Sequence, residues 1–171
     1  MKKTSILLST AMMMLVAACG NNSNQQQNDN ATESTTATTQ ETGEPSSKEA
    51  IITLNAGDDM KFDQTLLNVK EGQTIKLTLN HIGKMAKDVM GHNFVLLVAG
   101  VSATDFAMKV IGDKATDYIP ADTKDIIAHT KLLSGGESDT IEFPAPAKGT
   151  YEFLCSFPGH VGLMKGTLIV E

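Results

Sequence analysis

A ten-residue stretch near the C-terminal end carries the side chains whose types and spacing could do chemistry. It reads Cys155-Ser-Phe-Pro-Gly-His160-Val-Gly-Leu-Met164. A thiolate, an imidazole nitrogen and a weak thioether together suit a site that holds copper both as Cu(I) and as Cu(II). Such a site needs a second imidazole, for which His92 is the candidate. Because His92 lies more than sixty residues upstream of Cys155, only the fold could bring the two together.

Each of these residues also has a more ordinary interpretation. A lone cysteine can be a small buried hydrophobe, and a methionine near it can simply fill the core. A structural zinc site needs four strong ligands, and methionine is not one of them. Covalent haem attachment is excluded because the chain contains no Cys-x-x-Cys-His. Nucleophilic catalysis by Cys155 with His160 stays possible on composition, but it leaves Met164 and His92 without a role.

The elements that must position these residues are short β-strands. Residues 74–80 alternate cleanly and place Ile75, Leu77 and Leu79 on one face, as a half-buried strand should. Further strands are predicted at Ile51–Leu54, Leu66–Val69, His92–Val98, Ile126–Leu132, Asp139–Phe143, Thr150–Leu154 and Gly166–Val170. Many short strands with turn residues between them indicate an all-β sandwich of about eight strands.

One segment, Ser102–Lys114, has helical rather than strand periodicity. Its apolar residues fall at helical spacing, and these are Ala103, Phe106, Ala107, Val110 and Ile111. Ser102-x-x-Asp105 is similar to a capping box, and Gly112 could end the helix. The sequence therefore predicts one short helix inserted among the strands.

Three segments of the chain resemble the azurins of the cupredoxin family, the blue type 1 copper proteins. They are Gly83–Leu96, Ile127–Leu132 with the glycine-rich turn after it, and Cys155–Leu168. The resemblance extends over roughly residues 51–171 without large gaps. It implies a Greek-key β-sandwich with the helix as an inserted flap, and a one-electron carrier rather than an enzyme.

The resemblance also implies a set of copper ligands. His92, Cys155 and His160 would be the equatorial ligands. Met164 would supply an axial thioether, and the backbone carbonyl of Gly91 a weaker contact on the opposite side. One copper ion per chain is therefore expected.

Residues around the expected ligands have implied roles as well. The backbone N–H groups of Asn93 and Phe157 would point at the cysteine sulfur and tune the reduction potential. Val89, Met90 and Leu163, together with Phe157, would surround an exposed edge of the second histidine ligand. Such an apolar surface suits a small, transient redox interface. The expected partners are redox proteins such as c-type cytochromes or a copper reductase.

Two more histidines and a missing disulfide complete the comparison with azurins. His81 is similar to a position that titrates near copper without binding it, although a satisfied, partly buried histidine explains it equally well. His129 is expected on the surface and outside the metal site. Azurins usually carry a disulfide near the start of the domain, but Gly72 stands where one partner would fall. Losing that crosslink removes about 2–4 kcal/mol of stability.

The N-terminal residues are typical of an exported lipoprotein. Residues 1–18 combine Lys2 and Lys3 with a short apolar run, as a signal peptide does. The run ends Leu-Val-Ala-Ala-Cys19, which looks like a lipobox with Cys19 as the lipidated residue; ordinary signal cleavage is the alternative. Residues 19–50 are polar and predicted to be a disordered tether to the membrane. Gly20 after the cysteine favours the outer membrane, with the domain in the periplasm or at the cell envelope.

The charge distribution excludes one class of partner. Without Lys2 and Lys3 the chain has 12 lysines, no arginine and 20 acidic residues, a net charge of −8. No basic patch is available, so nucleic-acid binding is disfavoured.

The main alternative function is a copper-binding lipoprotein for storage or delivery. That function commonly uses dense methionine and histidine tracts, which this chain lacks.

Overall fold

Eight β-strands form the framework of residues 48–171, the part of the chain that the structure, a computed structural model, describes. In chain order they are β1 Glu49–Ala56, β2 Leu66–Val69, β3 Thr74–His81, β4 Val95–Leu97, β5 Ile126–His129, β6 Ser138–Pro144, β7 Gly149–Leu154 and β8 Lys165–Val170. Two α-helices, α1 Lys87–Met90 and α2 Ala103–Lys109, and two short 3-10 turns, Lys114–Thr116 and His160–Gly162, lie between them.

The strands form two sheets. The smaller sheet has the order β1-β3-β6, and the larger has the order β2-β8-β7-β4-β5. β1 runs parallel to β3 and β2 runs parallel to β8, whereas the other neighbours are antiparallel. The chain crosses between the sheets early, since β1 and β3 lie in the smaller sheet and β2 lies in the larger one. The two sheets form the layers of a β-sandwich. The predicted Greek-key β-sandwich is confirmed.

Alternating apolar residues fill the space between the sheets. In β3, Ile75, Leu77 and Leu79 are buried, as their spacing predicts. They belong to a main core cluster that also holds Phe94 from the segment before β4 and Phe153 from β7. The rings of Phe94 and Phe153 pack 5.2 Å apart, centroid to centroid. The same cluster includes Cys155, so the core reaches the segments that precede β4 and follow β7.

The predicted helical flap is present but shorter than Ser102–Lys114. Its helix α2 ends at Lys109, and a separate 3-10 turn follows at Lys114–Thr116. At the start of α2, the N–H of Asp105 donates to the Ser102 hydroxyl at 3.3 Å, half of the predicted capping box. The flap has its own apolar cluster, in which Phe106, Val110 and Tyr118 pack with Leu154. Helix α1 was not predicted, because four residues are too few for a periodic pattern.

Strands β4 and β5 are also shorter than the predicted runs 92–98 and 126–132. Just before β4 and just after β5, a side chain replaces a backbone partner. The N–H of Phe94 donates there to the Thr130 hydroxyl at 3.0 Å. His92 pairs with Leu133 only as an isolated bridge. A register shift between Leu96 and Leu97 further disrupts the pairing of the two strands.

The start of β1 lies before the predicted domain boundary at residue 51, because Glu49 and Ala50 already pair with β3. The predicted signal peptide, Cys19 and the tether up to residue 47 lie outside the described residues. Within residues 48–171, no helix is long and apolar enough to cross a membrane.

Candidate metal centre

Two segments meet at one end of the larger sheet. His92 lies shortly before β4, and Cys155 directly follows β7. β4 and β7 are antiparallel neighbours in which Val95 pairs with Leu154. The start of one strand and the end of the other are therefore at the same edge of the sheet. The pairing of β4 with β7 thus brings His92 close to Cys155, although the two residues are far apart in sequence.

His160 and Met164 come from the connection between β7 and β8. Gly159 precedes the histidine with a φ of +84°, a conformation that favours glycine, and His160 begins a 3-10 turn. The N–H of Met164 donates to the His160 carbonyl at 2.8 Å, and the N–H of Cys155 donates to the Met164 carbonyl at 3.0 Å. These bonds fold the connection back onto the cysteine. Met164 is fully buried there.

The structure brings the predicted thiol and both imidazoles together. One ligand atom from each of His92, Cys155 and His160 lies within 4.8 Å of the other two. The Sγ atom of Cys155 is 3.5 Å from Nδ1 of His160 and 3.7 Å from the Gly91 carbonyl oxygen. The three side chains are buried, so an ion bound among them would be shielded from water.

Hydrogen bonding fixes His92 in the tautomer that a metal needs. Its Nε2–H donates to the Gly57 carbonyl at 2.8 Å, which leaves Nδ1 with a lone pair. This Nδ1 atom is buried and has no hydrogen-bond partner within residues 48–171. A buried polar atom without a partner is rare and calls for an explanation. A metal ion bound at Nδ1 supplies one.

Burial sets the protonation of the three groups in the metal-free protein. It lowers the pKa of His160 to about 4, with a smaller effect from the positive charge of a protonated His92. The pKa of His92 is lowered for the same reason. Burial also raises the pKa of the Cys155 thiol to about 11, against the opposing effect of two backbone N–H groups. Metal binding to the thiolate must therefore release a proton at neutral pH.

The two N–H groups that face the Cys155 sulfur belong to Asn93 and Phe157, the residues that the resemblance indicated. The Asn93 side chain has a second role, since its Oδ1 accepts from the N–H of Ser156 and its Nδ2 donates to the Ser156 hydroxyl, both at 2.8 Å. This buried pair joins the segment that carries His92 to the segment that carries Cys155.

Gly91 has no room for a side chain. A Cβ atom there would lie 2.5 Å from the Lys87 carbonyl oxygen and 3.0 Å from Cγ of Leu132. Its backbone φ of −69° is ordinary, so the close approach, not the conformation, requires glycine. The absence of a side chain lets α1 pack close to the site and keeps the Gly91 carbonyl near the cysteine sulfur.

The three apolar residues predicted to surround the second histidine ligand are exposed or partly exposed. Val89 and Leu163 are 55% and 56% exposed, and Met90 is partly exposed. We call these three residues the apolar patch. The histidine edge expected within it is smaller than the resemblance implied, because only 3% of His160 is exposed. Phe157 covers part of it, with its ring centroid 4.6 Å from that of His160.

The two other histidines do not join the site. His129 is exposed and hydrogen bonds to the Thr130 carbonyl, as expected of a surface residue. His81 is buried, and its ring stacks 4.3 Å from the His92 ring. Gly83 N–H donates to its Nδ1 at 3.1 Å, and its Nε2–H donates to the Met90 carbonyl at 2.8 Å. Both ring nitrogens of His81 are therefore already used.

Some contributors to the site carried no signal in the sequence. Gly57 acts through its backbone carbonyl, which any residue type would possess. Ser156 stood within the predicted loop, but only the fold shows that its partner is Asn93.

The donor set fits copper. A buried cysteine sulfur, two imidazole nitrogens and a nearby buried methionine form a soft, mixed set that copper prefers and that structural zinc sites do not use. His92 Nδ1 in particular is oriented with a free lone pair. An eight-stranded sandwich with this set at one end of the larger sheet defines the class of single-copper cupredoxins.

The chain belongs to the plastocyanin/azurin family of copper binding proteins, whose family model matches residues 48–171. It is similar to the azurin of Pseudomonas fluorescens biotype C, with 38% identity over 130 residues that cover 72% of this chain and 99% of that protein. The azurin of Bordetella pertussis is 37% identical and covers 70% of this chain and 83% of its own. Auracyanin A, a "blue" copper protein from Chloroflexus aurantiacus, has a similar structure, with a TM-score of 0.65 and 34% identity over 72% of this chain and 99% of its own.

Proposed function

We propose that the protein is a one-electron carrier that binds a single copper ion. His92, Cys155 and His160 would be the main ligands, and Met164 and the Gly91 carbonyl would be weaker ones. The observation that carries this proposal is the buried Nδ1 of His92, which has no hydrogen-bond partner within residues 48–171, on a residue that offers a ligand atom within 4.8 Å of those of Cys155 and His160. When bound, copper supplies a Cu(I)/Cu(II) couple that exchanges one electron.

The chain's own residues keep this site rigid. The Gly57 carbonyl holds the ring of His92, and the Asn93–Ser156 pair joins the two ligand segments. Both contacts are made by protein atoms alone. The ligands therefore need to move little when the charge of the ion changes, which keeps the barrier to electron exchange low. Burial excludes water from the site.

The apolar patch is the proposed docking surface for redox partners. It contains Val89, Met90 and Leu163 and lies next to His160, whose ring packs against Phe157. A small apolar surface supports weak, short-lived complexes. We propose c-type cytochromes or a copper reductase as partners. The protein would accept one electron from a reduced partner and pass it to an oxidised one, without breaking a bond.

We propose further that the domain is anchored to a membrane. The support comes from the sequence: an export signal in residues 1–18, Cys19 at the end of a lipobox, and a polar tether that leads to β1. Gly20 favours the outer membrane, with the domain in the periplasm or at the cell envelope. A tether raises the concentration of the carrier near membrane-bound partners.

Spectroscopy on two cysteine variants tests the copper site. Visible and EPR spectra are recorded for the copper-loaded wild type, for Cys155→Ala and for the matched control Cys19→Ser. We expect an intense thiolate-to-copper band and a narrow copper hyperfine splitting in the wild type and in the control, and neither in Cys155→Ala. An ordinary Cu(II) spectrum that Cys155→Ala leaves unchanged would refute the proposal.

A second measurement separates electron transfer from copper storage or delivery. The loaded protein is cycled with a one-electron reductant and oxidant in the presence of a copper chelator. A carrier should bleach and recover its colour repeatedly and keep its copper, whereas a delivery protein should lose copper to the chelator.

The Cys19→Ser variant also tests the anchor, because it should leave the membrane fraction of the producing cells while the wild type stays there.

A further inference from the structure

One acidic residue, Asp58, connects the turn after β1 to the loop before α1. Its Oδ2 atom accepts from the N–H of Lys84 at 2.9 Å, and its Oδ1 atom accepts from the N–H of Met85 at 3.3 Å. The Lys84 N–H, as the largest influence, lowers the pKa of the Asp58 carboxyl. The group is therefore a charged acceptor at neutral pH, and charge-assisted hydrogen bonds are stronger than neutral ones.

The same turn accepts a hydrogen bond from a proposed copper ligand, His92. Gly57, the residue before Asp58, accepts the hydrogen bond from Nε2 of His92 at 2.8 Å. The Gly57 carbonyl also accepts from the N–H of Met60 at 3.1 Å, which closes the turn. Any shift of this turn therefore moves the acceptor that sets the orientation of the His92 ring.

The loop that Asp58 binds is connected to the end of α1 through His81. Gly83, which begins this loop, donates its N–H to His81, and His81 donates in turn to the carbonyl of Met90 at the end of α1. A Cβ atom on Gly83 would overlap the Asp58 carboxylate and would lie 2.8 Å from the His81 ring. The glycine is therefore needed for the carboxylate to reach the loop.

We propose that Asp58 is a positioning residue for electron transfer. By joining the turn at residues 57–60 to the loop at residues 83–85, its carboxylate holds the orienting partner of His92 and the base of α1 in one fixed arrangement. Helix α1 carries Val89 and Met90 of the apolar patch. Asp58 thus links the geometry of the ligand to that of the docking surface. The inference rests on the proposed function, since it takes His92 as a copper ligand.

The neighbouring residue Asp59 provides a matched control. It has the same charge, is exposed like Asp58, and has no hydrogen-bond or ion-pair partner within residues 48–171. Removing either carboxylate changes the net charge by the same amount. Only the removal of Asp58 breaks the connection between the turn and the loop.

The test compares Asp58→Ala, Asp58→Asn and Asp59→Ala in the full chain. In the metal-free protein, amide hydrogen exchange at Lys84 and Met85 should be faster in Asp58→Ala and unchanged in Asp59→Ala. Loaded Asp58→Ala should show about a 10-fold loss of copper affinity in competition with a chelator, as for other partners that orient metal ligands. Asp58→Asn retains one acceptor oxygen and should restore most of both properties.

Two results would overturn the inference. In one, Asp58→Ala matches the wild type in both amide exchange and copper affinity. In the other, Asp59→Ala changes them as much as Asp58→Ala does, so that charge alone is responsible. A wild type without the intense copper band would instead refute the proposed function, while the exchange rates in the metal-free chain still decide whether Asp58 holds the loop.

Discussion

Replacing Asn93 by alanine should weaken the fold, because its buried side chain joins two segments that are distant in sequence. Asn93 and Ser156 are 63 residues apart in sequence and are 0% and 1% exposed. Alanine at residue 93 leaves both the N–H and the hydroxyl of Ser156 without their partner. Each buried polar group left unsatisfied costs about 1–3 kcal/mol. We therefore expect Asn93→Ala to lower the free energy of unfolding by roughly 2–6 kcal/mol.

The measurement is equilibrium unfolding in urea, carried out on the metal-free protein so that copper affinity does not contribute. Ser156→Ala removes only the hydroxyl partner of Asn93 and should lower the free energy of unfolding by about 1–3 kcal/mol. The control is Asn80→Ala, because Asn80 bonds to Asn55 and Ser138 on the partly exposed outer face of β3. Water can replace these partners, so its effect should stay below about 1 kcal/mol.

A double-mutant cycle then separates the pair from general loss of packing. If the two side chains act through their mutual hydrogen bond, the effects of Asn93→Ala and Ser156→Ala should be clearly less than additive. Strict additivity would show that this side-chain bond contributes nothing. An Asn93→Ala effect no larger than that of Asn80→Ala would show that Asn93 does not hold the segments together.

Two further predictions concern the protonation and the packing of the site. The unfolded chain takes up a proton at His160 near pH 6.5 and the folded chain only near pH 4, so the metal-free protein should lose about 1–3 kcal/mol of stability as the pH falls through this range. Unfolding curves at several pH values measure the loss, which His160→Gln should reduce; an unchanged slope would argue against a buried neutral ring. Gly91→Ala should destabilise the fold by about 1–3 kcal/mol and alter the copper spectrum, because its Cβ would lie 2.5 Å from the Lys87 carbonyl oxygen. Gly112→Ala, where a Cβ meets nothing within 4 Å, is the control and should behave like the wild type in both assays.

The sequence predicted most of the framework because it alternates where a strand has one buried face. β2 was predicted with its observed bounds and β3 to within one residue. β4 was overextended because Val95, Leu96 and Leu97 are all buried, so a continuous apolar run gives no period from which to find the ends. The flap helix was overextended because apolar residues continue at helical spacing beyond Lys109, where the chain forms a separate turn.

The residue types of the site could be found from sequence, but not the contacts that orient them. A cysteine, a histidine and a methionine in one loop point to a metal, and spacing alone makes them neighbours. The partner of His92 is a backbone carbonyl, and that of Asn93 is a serine in a distant segment. Asp58 looks like any surface carboxylate until its two backbone donors are known. Such contacts depend on the tertiary fold and leave no local pattern.

The division of the site between a short loop and a distant segment has a consequence for how the protein folds. Cys155, His160 and Met164 can approach one another as soon as the β7–β8 hairpin forms, whereas His92 closes a loop of about 63 residues. Closing such a loop costs on the order of 4 kcal/mol in chain entropy. The pairing of β4 with β7 and the Asn93–Ser156 bonds can offset this cost without a metal. His92 is thus put in place by long-range contacts of the fold itself, so a chain that has formed them can take up copper without refolding around it.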